Sequence, residues 1–141
     1  MSIHNCPDLS VDIVCRWRES ILIIERKNKP FGLALPGGMV DIGETVETAV
    51  LRELAEETNV RGKILGFVGV YSEPSRDPRT HIVSLAYAVE ADEEDDPTAM
   101  DDAKELHIVT VGQALDLRLV CDHHQILEDA VNYVFERRIY G

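Results

Sequence analysis

Long apolar runs are missing from this 141-residue chain; none approaches the roughly 18 residues that a bilayer-spanning helix needs. A secretory leader is not expected either. The residues before Val11 are polar and mixed, with Asn5, Pro7 and Asp8 where a signal peptide has a basic start and an apolar centre, so the expected location is the cytosol. Cysteine is scarce. Cys6, Cys15 and Cys121 are odd in number and widely separated, with no C-x-x-C spacing; this excludes a zinc or dithiol motif and predicts free thiols. Positive charge is scarce as well, with 14 Lys and Arg against 26 Asp and Glu, a net charge of −12. Binding to nucleic acid or to an anionic membrane draws on many cation–phosphate contacts, so neither is an expected partner. An anionic small molecule would need metal ions and local arginines to approach. What remains, 45% hydrophobic and 28% charged, is the make-up of a globular domain, and the length suits a single domain with one core over residues 1–141.

The most informative stretch is GGMVDIGETVETAVLRELAEETNV, residues 37–60. From Thr45 onward Val46, Val50 and Leu54 recur every fourth residue, with Leu51 and Ala55 beside them, the apolar pattern of a helix lying on a core. At about 100° per residue Glu53, Glu56 and Glu57 share one patch of roughly 100° of arc, on the side away from Leu51, Leu54 and Ala55. Like charges at such spacings cost roughly 0.2 to 0.5 kcal/mol per pair on a solvated helix. A hard divalent cation, which takes oxygen ligands, would remove that cost. On the helix alone, a solvated acidic face explains the same three residues.

The full spacing decides between these. Gly38, five residues, Glu44, seven residues, then Arg52-Glu53-Leu54-Ala55-Glu56-Glu57-Thr58-Asn59-Val60 resembles the Nudix box, G-x5-E-x7-R-E-U-x-E-E-x-G-U with U aliphatic. The departure is Asn59 in place of glycine, at the helix end where asparagine is the usual substitute in a left-handed conformation. The resemblance implies that Glu53, Glu56 and Glu57 coordinate Mg²⁺ or Mn²⁺, with a backbone carbonyl of Gly37 or Gly38 as a further ligand. It also implies a structural Glu44–Arg52 ion pair bracing the preceding loop against the helix.

Elsewhere, residues 10–17 and 21–26 read as a hairpin turned by Arg18-Glu19-Ser20, with Trp17 packing at the sheet end. Residues 27–32 form a basic loop in which Phe31 either packs on the core or covers the site, and residues 33–35 are a short strand leading into the glycine turn. Residues 64–71, 82–89 and 107–111 read as further strands, and 122–138 as a closing helix with Asp122 as N-cap. His123 and His124 read as a surface pair at that helix start. The loop at 72–81, SEPSRDPRTH, carries two arginines three apart. Guanidinium forks suit phosphate oxygens, while an Arg76–Asp77 pair bracing the loop is the structural alternative. The loop is similar to that of ADP-ribose pyrophosphatases of the Nudix family, which implies substrate contacts from Arg76 and Arg79, with His81 either a further contact or a structural residue at a strand start; relatives also place a substrate-contacting basic residue near Arg26, where a solvated strand end is the alternative. Residues 90–102 carry eight acids and read as a solvated connection. Nudix relatives draw a further carboxylate from this part of the chain, which makes Asp101, Asp102 and Glu105 candidates for a further metal ligand or, beside Glu53, for the general base.

The element order predicts an α+β fold, and the resemblance specifies it as a mixed β-sheet between α-helices. The implied activity is metal-dependent hydrolysis of a nucleoside diphosphate derivative, ADP-ribose to AMP and ribose 5-phosphate foremost. A nucleoside triphosphate or dinucleoside polyphosphate substrate, or a noncatalytic ADP-ribose sensor, are the alternatives. Homodimerisation is an arrangement found in the family.

Overall fold

Ten residues from Asp8 to Trp17 form β1, the strand on which the sheet is built. Its side chains alternate, Val11, Ile13 and Cys15 joining one apolar cluster and Val14 another on the opposite face. The computed structural model describes residues 5–136. The predicted hairpin is present: β2 (Ser20–Arg26) runs antiparallel to β1, with Trp17 opposite Ser20. Arg18 and Glu19 make the two-residue turn with positive φ of 48° and 72°, the geometry that matches strand twist.

Only the pairs Arg16–Ile21 and Trp17–Ser20 join β1 to β2, after which the two strands part. β2 continues beside β3 (Leu33–Ala34), while residues 10–12 of β1 pair with β4 (Gly37–Met39). The segment from Leu33 to Met39 therefore crosses from one arm of the fork to the other, and the glycine turn is carried on β4 rather than in a free loop. Beyond it, β5 (Gly62–Tyr71) pairs antiparallel with β6 (Ile82–Ala91), β6 lies parallel to β1, and β7 (Ala103–Thr110) closes the other arm against β2.

Helix α1 (Val46–Thr58) covers one face. On the other lie α2 (Val111–Asp116) and α3 (His123–Ala130), the latter continued by a π-helical turn, Val131–Phe135. The predicted α+β architecture, a mixed sheet between helices, is the one observed. Thr45 caps α1 by accepting the Thr48 amide, and Asn59 ends it in the left-handed conformation at φ 62°. The face of α1 differs from expectation. Ala49, Val50, Leu54, Glu57 and Thr58 are buried, whereas Leu51 and Ala55 face outward. Val50 and Leu54 belong to both readings, and the helix is turned so that Ala49 and Glu57 also face inward.

One further expectation changes. Asp122 is the N-cap of α3 by position, but its carboxylate makes no capping bond and pairs with Arg76 instead. Phe31 is largely exposed and packs on no cluster. The end of the predicted closing helix, beyond residue 136, lies outside the described residues. The three cysteines are free thiols, and among the described residues no helix is long and apolar enough to cross a membrane.

Candidate active site

The fork between β1 and β2 opens into a cavity of about 320 Å³, within the size range of ligand pockets. Its wall includes Gly37 and Gly38 of β4, Glu53 and Glu57 of α1, Arg26 at the end of β2, and Asp102 just before β7. Arg76, Asp77 and Arg79 of the loop after β5 complete it, with Asp12 and His123.

The inward turn of α1 sets the acidic side. Glu57 is 4% exposed, and its carboxylate accepts the Gly37 amide at 2.7 Å. Burial pushes its pKa up to about 8, with Glu53 and Asp102 adding repulsion and the Gly37 hydrogen bond and Arg26 opposing. Glu53 is also raised, by burial first and by Glu56 and Asp41, against the pull of Arg52. A Cβ on Gly38 would stand 2.4 Å from the Glu53 carboxyl carbon, so a side chain there would push that carboxylate out of its place. A Cβ on Gly37 would meet the Val11 carbonyl at 2.2 Å.

Arg52 organises this side. It donates to Glu44 through Nε at 2.6 Å and Nη2 at 2.8 Å, the ion pair expected from the box, and holds Glu44 down to about 2. Its Nη2 also donates to the Met39 carbonyl, tying α1 to β4. Its Nη1 reaches Glu53 at 2.8 Å and Glu56 at 3.2 Å. Glu56 is thereby held on the rim, its side chain 45% exposed, outside the cavity lining. Among the described residues no three carboxylate, histidine or cysteine groups converge as a ready-made metal cage. The donors nevertheless suit a hard cation: all are oxygens, Glu57 is buried and Glu53 half-buried with both carboxyls pushed up by burial, and Glu56 stands exposed on the rim.

The loop arginines part company. Arg76 is buried, donating to Asp122 from Nε at 2.8 Å and Nη2 at 2.6 Å, to Asp12 at 3.4 Å, and to the Ile82 carbonyl from Nη1. Its partners are Asp122 and Asp12, not the neighbouring Asp77. Arg79, 42% exposed at the side chain, is the one that pairs with Asp77. Arg26 lines the cavity while donating to the Asn28 and Lys29 carbonyls of its own loop. His81 sits outside the lining, its Nε2 against the Ser72 carbonyl at 3.1 Å across the base of the loop. Of the three late carboxylates only Asp102 lines the cavity; Glu105 is largely exposed beside His107, and Lys27 contacts the Asp101 carbonyl.

Sequence reasoning missed the polar floor. His123 is buried rather than a surface residue, with Nδ1 accepting the Leu35 amide at 3.0 Å and Nε2 3.3 Å from Asp12. Asp12 also accepts from Ser84 at 2.6 Å. Burial favours its neutral form, but His123, Ser84 and Arg76 outweigh that and hold Asp12 at about 2. The available signal was a lone aspartate inside the apolar run Val11-Asp12-Ile13-Val14.

A family model described as NUDIX domain matches residues 7–130. The chain belongs to the Nudix family. It is 40% identical over 129 residues to the ADP-ribose pyrophosphatase of Methanocaldococcus jannaschii, covering 90% of this chain and 75% of that protein. Among solved structures, this Nudix chain superposes on a bifunctional NMN adenylyltransferase/ADP ribose pyrophosphatase from Francisella tularensis, complexed with AMP and a manganese ion, at TM-score 0.82. Identity there is 26%, over 93% of this chain and 43% of the other, so the chain spans less than half of that protein. The Nudix domain of Shewanella oneidensis NrtR, complexed with ADP ribose, gives TM-score 0.80 at 27% identity, covering 92% and 89% of the two chains.

Proposed function

We propose that the protein is a Nudix pyrophosphohydrolase of the cytosol that cleaves ADP-ribose to AMP and ribose 5-phosphate, using Mg²⁺ or Mn²⁺. One observation carries the reading: a single cavity holds the box acids Glu53 and Glu57, the glycine turn and the arginines Arg26 and Arg79. The 40% identity to an ADP-ribose pyrophosphatase supplies the substrate.

Glu53, Glu56 and Glu57, with a carbonyl oxygen of Gly37 or Gly38, would hold the metal. When bound, it neutralises diphosphate charge and makes water a better nucleophile. The remaining work belongs to the chain. Arg52 with Glu44 fixes the height of α1 against β4 and so orients Glu53. Arg79 and Arg26 offer guanidinium donors to diphosphate oxygens. Asp102 or Glu53 accepts the proton of the attacking water as its oxygen bonds to phosphorus and the bridging P–O bond breaks, leaving two monoesters.

Incubation of the purified protein with ADP-ribose and Mg²⁺, scored for AMP and ribose 5-phosphate, tests the reading, with chelator as the control. Metal-dependent release of both products is expected. Binding without turnover would make the domain a sensor, and undiminished turnover in chelator would overturn the metal assignment.

A further inference from the structure

We propose that Asp77 is a positioning residue: it holds Arg79 with one end of the guanidinium free toward the cavity, and so sets the affinity for the anionic substrate. The inference rests on reading the cavity as a diphosphate site and adds to it the residue that presents the gripping arginine.

Asp77 is an odd neighbour for an anion. Its side chain is 4% exposed and lies on the cavity wall, where a carboxylate repels phosphate. Its hydrogen bonds account for its place. Oδ1 accepts both the backbone amide of Arg79 at 2.9 Å and its Nε at 3.0 Å, and Oδ2 accepts Nη2 at 2.8 Å. The backbone bond closes a short turn from Asp77 to Arg79, and the two side-chain bonds grip one edge of the guanidinium in its plane. Among the described residues Nη1 is left without a protein partner, on a side chain that is 42% exposed and lines the cavity. A flexible arginine loses much rotamer freedom on binding an anion, and one already held in place loses less.

Arg76 gives the contrast three residues earlier. All its nitrogens are engaged, by Asp122, Asp12 and the Ile82 carbonyl, and its side chain is 3% exposed. One arginine of the loop is therefore spent on the fold and the other is held for a ligand, and the carboxylate that distinguishes Arg79 is Asp77.

The test turns on a sign. A carboxylate that merely sat beside the cavity would repel the substrate, so neutralising it would tighten binding; a positioning carboxylate weakens binding when neutralised. ADP-ribose affinity is measured by calorimetry in chelator, and KM and kcat in Mg²⁺. Asp77→Asn is expected to raise Kd and KM by roughly five- to tenfold with kcat within about twofold. In an Arg79→Ala background, where nothing remains to be positioned, the same change should leave Kd unchanged or lower it. Asp77→Glu keeps the charge but moves it by one methylene, and should also raise Kd in the Arg79 background alone, which preserves the test if the asparagine variant fails to fold. A Kd at or below wild type for Asp77→Asn, or an equal rise in both backgrounds, overturns the proposal. Wild-type protein that binds ADP-ribose without hydrolysing it would sink the enzyme reading and leave the Asp77 result to be judged on Kd. Wild-type protein that neither binds nor hydrolyses it sinks both.

Discussion

Arg76 and Arg79 look equivalent in sequence and are not equivalent in structure. Removing Arg76 leaves the buried Asp12 facing Asp122 without their shared cation, a change of the kind that costs about 3–5 kcal/mol. Arg76→Ala is expected to lower the melting temperature by many degrees, whereas Arg79→Ala should melt close to wild type and raise KM for ADP-ribose more than it lowers kcat. Thermal melts and steady-state kinetics on the two variants check this; equal melting temperatures would show that the buried network carries no stability. Glu56 gives a second residue-scale prediction. Its side chain is on the rim and its only partner among the described residues is Arg52, which keeps Glu44 and Glu53. Glu56→Gln should therefore fold normally while kcat falls by orders of magnitude, and normal turnover would return Glu56 to a surface role. Residue types were legible at these positions, but pairings were not. Which aspartate meets which arginine depends on contacts between positions up to 64 residues apart, as for Arg76 with Asp12, and nothing local encodes them.

At the scale of elements, strands β1, β2, β5 and β6 and helix α1 followed from alternation, periodicity and capping residues, because those signals are local. Two elements did not. Gly37 and Gly38 read as a turn, but the parting of β1 from β2 leaves β1 backbone groups to be paired, and β4 pairs them using main chain alone. Helix α2 is six residues long, too short for periodicity, although its Thr110–Gln113 capping box was present in the sequence. The end of α1 was predicted correctly from Asn59, and the structure adds what surrounds it. The Thr98 amide donates to the Thr58 carbonyl, the Met100 amide to the Glu57 carbonyl, and the Asn59 side chain to Asp96 at a long 3.4 Å. The acidic connection is thus a strap over the helix end, and its backbone bonds do not need the Asn59 side chain. Asn59→Gly should leave kcat within about twofold and the melting temperature within a few degrees. A large loss of activity in a folded Asn59→Gly protein would mean that the Asp96 contact positions Glu57.

Over the whole molecule two buried carboxylates pull the pH dependence of stability in opposite directions. Asp12, held at about 2 against an ordinary 3.8, binds fewer protons folded than unfolded between those values; its contribution is full above the upper one and is lost as pH falls through the lower. Glu57, raised to about 8 from 4.5, binds more protons folded than unfolded across that window, so stability falls as pH rises through it. The metal-free protein should accordingly be most stable near pH 4 to 5, about where the two windows meet, with self-repulsion of the −12 charge reinforcing the decline above it. A divalent cation binds the ionised form of Glu57, so its stabilisation should grow with pH over the range in which the metal-free protein weakens. Melting temperatures from pH 4 to 9, in chelator and in Mg²⁺, should diverge towards the alkaline end. Glu57→Gln retains an acceptor for the Gly37 amide but cannot ionise, so it should flatten the alkaline decline in chelator and remove most of the gain from Mg²⁺. A wild-type melting temperature that climbs steadily from pH 5 to 8 in chelator would show that Glu57 is already neutralised by the protein itself, and the case for a cation at that carboxylate would fall.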